Sequence, residues 1–409
     1  MRRTSYRRPF AAALLAASVL APMTATPAAA LHPTGLRASG THAVDTGGYG
    51  RDDDARDSLS PRLSARLDKA IADVRRQASI PGVVVGLWMP GKGNYVRATG
   101  VANTATRQPM SVDSYVRIGS ETKTFTVTAL LELVDQHRIR LDDPISKYIR
   151  GVPNGRHITL RQLAEMRSGL FPYTSDAGFE NDLLSNPQRV FTPRELLAYG
   201  YKHPNTFAPG TQFEYCNSNL ILLGLVIEKV SGHKLRDVID RRVLRPAHLR
   251  HTLFPKGNEF PEPHPQGYTD QTLTGATANA TNWNPSWAWA AGAMISNLRD
   301  LRHWAKVVAT GTLLSPETQA QRLKTLPTGF PGTTYGLGIF NASGWIGHNG
   351  SLPGYETVTV YLPSKKATLV IMLNTDSTYQ GQEPSTLVAR AVTQIVTPDN
   401  VYAGAVVGR

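Results

Sequence analysis

Cysteine is almost absent from this chain: Cys216 stands alone among 409 residues. One thiol cannot close an intramolecular disulfide or build a cysteine-based zinc site. The histidines fall at no H-E-x-x-H or comparable spacing, so no metal-enzyme signature is present and no cofactor is expected. Beyond the amino terminus no run approaches ~18 apolar residues, so the mature chain is expected to be soluble, without a membrane span. The formal net charge is +13, yet no dense run of lysine and arginine is interleaved with aromatics, which argues against a nucleic-acid partner. There is no internal repeat, and a monomer is expected.

What is present begins with an export pattern. Arg2, Arg3, Arg7 and Arg8 precede an Ala/Leu-rich stretch from Phe10 to Leu20, and Ala28-Ala29-Ala30 follows as a small-residue cleavage site. This predicts a secretory signal over residues 1–30; Arg7-Arg8-Pro9-Phe10 also fits a twin-arginine signal. A secreted protein with a basic surface suits an anionic cell wall. Residues 31–57, rich in Gly, Thr, Asp and Arg, read as a disordered linker. One large domain is expected over residues 58–400.

Within that domain Ser60-Pro61 is a helix start, with Leu63, Leu67, Ile71 and Val74 at helical spacing. Val83–Met89 and Asn94–Thr99 read as a hairpin. Helices are expected from Phe125 to Val134, Leu160 to Met166, Arg194 to Tyr201 and Leu220 to Val230. Strands return at Gly336–Phe340, Tyr355–Leu362 and Ala367–Leu373, before a last helix from Pro384 to Ile395. Strands at both ends and helices between predict a two-lobed α/β fold. An antiparallel sheet would form from the N- and C-terminal segments, flanked by helices, beside a mainly helical lobe. The cleft between lobes is the default site.

Three short motifs carry chemistry. Ser120-Glu121-Thr122-Lys123 is an S-x-x-K at the start of an apolar helix. Residues i and i+3 share a helix face, so the lysine amine can reach the serine hydroxyl, and the helix N-terminus favours a developing oxyanion. The same four letters also describe a capping serine and a surface lysine. A second match, Ser231-Gly232-His233-Lys234, follows a long apolar helix and reads as its stop. Tyr215-Cys216-Asn217 supplies a phenol able to relay a proton and an amide able to hold a carbonyl and the lysine. His348-Asn349-Gly350-Ser351 precedes a strand, where small residues permit close backbone approach.

In this order the three motifs resemble the active-site serine β-lactamase/penicillin-binding-protein superfamily. The chain is similar to class C β-lactamases and, more closely, to soluble secreted D-alanyl-D-alanine carboxypeptidases. The resemblance runs over residues 65–395 and includes Met166-Arg167-Ser168-Gly169-Leu170, Trp287 and Ala291-Gly292-Ala293. It implies a β-lactamase-like fold, Ser120 as acylated nucleophile, Lys123 as its base partner and Tyr215 as proton shuttle. It further implies that His348 supports Tyr215 and the leaving group, and that Asn217 holds the acyl side chain. Trp287 would line the cleft with Asn349, Gly350 and Ser351, and the amides of Ser120 and Ser351 would form an oxyanion hole. The implied substrate is a small peptide, lactam or ester, first of all a cell-wall D-Ala-D-Ala peptide. A β-lactamase, esterase or D-amino-acid amidase is the alternative, and an idle penicillin-binding receptor the non-enzymatic one. Two positions depart from the pattern. Cys216 stands where serine is usual, and Gly338–Gly344 lacks the arginine that pairs a substrate carboxylate in the carboxypeptidases.

Overall fold

A computed structural model describes residues 58–404; the expected signal and linker lie outside the described residues. The first helix, α1 (Pro61–Gln77), starts where Ser60 accepts a hydrogen bond from the Leu63 amide at 3.4 Å. Strands β1 (Gly82–Met89) and β2 (Gly93–Gly100) form the predicted hairpin. They complete one antiparallel sheet with C-terminal strands β7 (Leu326–Pro327), β8 (Thr333–Tyr335), β9 (Phe340–Ala342), β10 (Trp345–Leu352), β11 (Tyr355–Leu362) and β12 (Ala367–Leu373). The strand order is β2-β1-β12-β11-β10-β9-β8-β7. Every residue of β1, β11 and β12 is buried, as expected for strands covered on both faces: α11 (Pro384–Val396), itself packed on α1, and, separately, α9 (Leu298–Thr310) pack against the sheet.

The helical lobe gathers around α2 (Thr122–Asp135) and α6 (Asn217–Ser231), with α8 (Trp289–Gly292) between them. The apolar spacing of Phe125, Ala129, Leu130, Leu133 and Val134 marks one face of α2, but the helix is enclosed nearly all round. Its threonines manage burial by local bonding: Thr124 and Thr128 hydroxyls donate to the Glu121 and Thr124 carbonyls, and Thr126 donates to Ala290. The buried Arg322 closes the arrangement by donating to Thr128 Oγ1 at 2.8 Å and to the Thr124 carbonyl at 3.0 Å.

Two expectations need correction. Gly336–Phe340 is not a strand. Residues 336–339 form a bend between β8 and β9, in which Gly338 has φ +66° and any Cβ would sit 2.6 Å from Val127 Cγ2. The His348 motif does not precede a strand either but lies inside β10. The Ser231 motif is a helix stop, as expected: Gly232 is left-handed at φ +75°, and Ser231 Oγ accepts from the His233 amide at 3.1 Å.

Candidate active site

The site is assembled where the two lobes meet. The short pair β3 (Tyr115–Arg117) and β6 (Ile295–Asn297) delivers the chain to Ile118, whose amide donates to the Met294 carbonyl at 3.0 Å. A 3₁₀ turn, Gly119–Glu121, then leads into α2. Gly119 has φ +49°, and a Cβ there would lie 2.8 Å from the Ser351 amide nitrogen; a Cβ on Gly350 would lie 1.9 Å from the Ile118 carbonyl oxygen. The two glycines let the nucleophile turn lie directly against β10.

Ser120 and Lys123 are buried. Lys123 Nζ lies 2.8 Å from Ser120 Oγ and donates to the Ala291 carbonyl at 2.8 Å. Burial holds the Lys123 pKa well below that of an ordinary lysine, with Cys216 opposing the shift. An uncharged amine can donate to Ala291 and still offer its lone pair to the Ser120 proton, which suits a base. The Tyr215 ring lies over this amine, 4.8 Å from Nζ to the ring centroid. Its hydroxyl is enclosed without a hydrogen bond of normal geometry, and its pKa is pushed well up, first by burial and then by Tyr335, with Ser120 pulling it partly back.

The loop bearing Tyr215 is fixed by the Met166–Leu170 segment. The Glu214 amide donates to the Met166 carbonyl at 3.0 Å, and Cys216 Sγ donates to the Leu170 carbonyl at 3.2 Å. Cys216 therefore points away from the cleft, and burial raises its thiol to about 12. It acts as a small core side chain.

His348 is buried and hydrogen-bonded on both nitrogens. Nδ1 donates to the Asn349 carbonyl at 2.5 Å, which leaves Nε2 to accept from the Tyr335 hydroxyl at 3.0 Å. Burial first, and the neighbouring Lys123 second, lower its pKa to about 3, so it is neutral at physiological pH. The expected partner of His348 was Tyr215; their rings are near, at 6.2 Å between centroids, but Tyr335 holds the hydrogen bond. No motif spacing marks Tyr335. It arrives through the β8–β9–β10 pairing, where Tyr335 faces Phe340 and Phe340 faces Gly347.

Other predicted residues stand differently. Asn217 opens α6, and its amide donates to Thr174 Oγ1 at 3.5 Å; the second partner of Lys123 is Ala291. Asn349 is not free to line a cleft: its side chain is fully buried and donates to Glu383 Oε2 at 2.9 Å. Successive side chains of a strand alternate faces, so Asn349 lies opposite its neighbour His348. Gly350 contributes by having no side chain, and Ser351 is half-buried with its backbone beside Gly119. Trp287 is half-buried; its ring leans on Phe179 at 6.1 Å, and its carbonyl accepts from the Tyr173 hydroxyl at 2.6 Å.

No motif role marks Glu121, the second letter of S-x-x-K. Its carboxyl is buried beside the nucleophile, and neither oxygen has a hydrogen bond of normal geometry. Burial raises its pKa to about 8, and Thr357 and Thr359 offset only part of that.

Among the described residues, no cluster of three or more histidine, cysteine or carboxylate side chains is placed to hold a metal ion, and no helix is long and apolar enough to cross a membrane. A cavity of about 620 Å³ lined by Ser146, Arg150, Asn154 and His157 contains none of the Ser120 group; volume alone does not locate this chemistry.

Comparison with known proteins bears on this geometry. The family model described as Beta-lactamase matches residues 67–393. The crystal structure of a D-stereospecific amidohydrolase from a Streptomyces species is 29% identical, with a TM-score of 0.73, covering 82% of this chain and 99% of that one. Protein flp of Staphylococcus aureus is 27% identical over 346 residues, 81% of this chain and 66% of that protein. A D-aminopeptidase of Brucella anthropi is 28% identical over 320 residues, 76% of this chain and 59% of that protein. The chain thus spans about two thirds or less of the length of these two relatives.

Proposed function

Because the chain belongs to the β-lactamase family, whose fold it shares, we propose that it is an exported serine amidohydrolase. It cleaves the amide that joins a D-aminoacyl group to an uncharged or cationic leaving amine. The observation that carries this reading is the buried Ser120–Lys123 contact of 2.8 Å, with burial holding the amine's pKa well below that of an ordinary lysine. Lys123 takes the Ser120 proton as Oγ attacks the carbonyl carbon. The tetrahedral oxyanion is met by the Ser120 and Ser351 amides. Tyr215 passes a proton to the departing amine, and water then hydrolyses the ester. The names of the Streptomyces amidohydrolase and the Brucella aminopeptidase support the amide and the D-configuration. The arginine-led, Ala/Leu-rich amino terminus supports export.

A carboxypeptidase reading needs a cation for the substrate's terminal carboxylate, because desolvating that charge unpaired costs several kcal/mol. The segment lacking arginine supplies none: Ile339 and Phe340 are fully buried, and the Phe340 ring packs against His348 at 5.3 Å. A neutral His348 supplies none either. The test is turnover of D-alanine amide, a D-Ala-D-Ala peptide and its C-terminal amide, nitrocefin and a p-nitrophenyl ester. The expected result is amide hydrolysis, with free and blocked C-termini differing by less than ~10-fold in kcat/KM, about 1.4 kcal/mol. A 100-fold preference for the free carboxylate overturns this reading in favour of a carboxypeptidase; turnover of nitrocefin or the ester alone overturns it in favour of a lactamase or esterase.

A further inference from the structure

One stretch of the helical lobe is strongly basic. From Lys229 to Arg250 the chain carries seven lysines and arginines against two aspartates. These residues form the end of α6, the short helix α7 (Leu235–Ile239), a turn of π-helix at Asp240–Leu244 and the segment that follows. Lys229, Lys234, Arg241, Arg242 and Arg245 are all exposed. The fold adds a second basic segment: α7 and the π-turn pack on α2, and Arg138, just beyond the end of α2, donates to the Val230 carbonyl. Exposed Arg138 and Arg140 therefore extend the same face.

The acids on this face do not cancel it. Asp240 pairs with Arg245 at 2.7 Å, Asp237 with Arg236 at 3.5 Å and Glu228 with Lys234 at 4.0 Å, while the field of Arg242 reaches Glu132. Exposed pairs of this kind are weak and yield readily to a competing anion. Lys229 and Arg241 take part in no ion pair among the described residues. The apolar residues of the segment, Leu235, Val238, Ile239, Val243, Leu244 and Leu249, are buried. Between Lys229 and Arg250 there is no Phe, Tyr or Trp.

We propose that this face is a docking surface for a flexible, linear polyanion with closely spaced phosphate groups, of the kind an anionic wall polymer presents. Charge is the only recognition the face offers. With no aromatic to stack on bases it lacks the usual platform for single-stranded nucleic acid, and with its apolar side chains turned inward it has nothing to insert into a lipid surface. The face adjoins the C-terminal end of α2, whereas Ser120 precedes the N-terminal end. A helix of 14 residues separates them by about 20 Å, so a polymer held here leaves the cleft open.

The test uses the full chain and long-chain inorganic polyphosphate as probe, with binding followed by fluorescence anisotropy across a salt series. A variant carrying Lys229→Gln, Lys234→Gln, Arg241→Gln and Arg245→Gln is compared with a control carrying Arg62→Gln, Arg66→Gln, Lys365→Gln and Lys366→Gln, four cations exposed elsewhere. The expected result is a loss of about tenfold or more for the first variant only, with the slope of log affinity against log salt reduced by about three, as for four lost phosphate contacts. Hydrolysis of a small uncharged substrate stays at the wild-type rate in both. Equal loss in the control overturns the location of the surface. Tenfold tighter binding to duplex DNA or to phosphatidylglycerol vesicles at matched charge overturns the polymer class.

Discussion

Replacing Glu121 by glutamine should make the protein more stable, and by an amount that grows with pH. The carboxyl is fully buried and its pKa is raised from 4.5 to about 8 by burial. An acid whose folded-state pKa is raised holds its proton more tightly in the folded protein. Its contribution is therefore most favourable below the unfolded pKa of 4.5 and is lost as pH rises through the window to about 8. Each pH unit inside that window costs about 1.4 kcal/mol. Between pH 5 and pH 7 the difference works out at about 2–3 kcal/mol. Glutamine has nearly the same shape and does not titrate. The other buried acids, Glu165, Asp176, Asp300, Glu356 and Asp376, are the same in both proteins and cancel in the comparison. Urea unfolding of wild type and Glu121→Gln at pH 5 and pH 7 reads the effect directly. The stability gap between the two proteins should widen by about 2–3 kcal/mol at the higher pH. A gap that stays constant within about 0.5 kcal/mol refutes the claim that this carboxyl is held neutral behind the nucleophile.

Tyr335→Phe leaves His348 Nε2 buried without its donor, and should lower stability by about 1–3 kcal/mol, read as a fall in Tm of several degrees; an unchanged Tm would show that the 3.0 Å bond contributes nothing. Lys123→Ala and Tyr215→Phe should each slow acylation by about 10³-fold or more, with the double variant little worse, since groups acting as a unit lose activity non-additively. Stopped-flow acylation rates that multiply fully in a folded double variant would separate their roles.

The fold was legible wherever burial repeats a local pattern. The fully buried β1, β11 and β12 and the capped α1 stand where their sequences put them. Gly336–Phe340 misled because its apolar letters serve a bend against α2, a use that only the tertiary approach of Gly338 to Val127 reveals. In the site, the Ser120–Lys123 pair was readable because i,i+3 spacing on a helix fixes proximity. The Ala291 carbonyl and Tyr335 were not, because both reach the site by long-range packing and carry no spacing of their own. Asn349 misled for a related reason: its place in the motif suggested the cleft, while strand alternation turns it to Glu383. Glu121 carries no sequence signal because the middle positions of S-x-x-K are variable letters, and only the enclosure of the helix they open nearly all round shows that its carboxyl is buried.

The account stands on Ser120 as the residue that carries the acyl group. Incubation with a slowly turned-over D-aminoacyl ester or a fluorescent penicillin, followed by peptide mapping, measures this most directly. The expected result is a single adduct on Ser120, absent from Ser120→Ala and from Lys123→Ala on the same timescale. An adduct on Ser231, on Cys216 or on any other side chain, or undiminished labelling of Ser120→Ala, contradicts it.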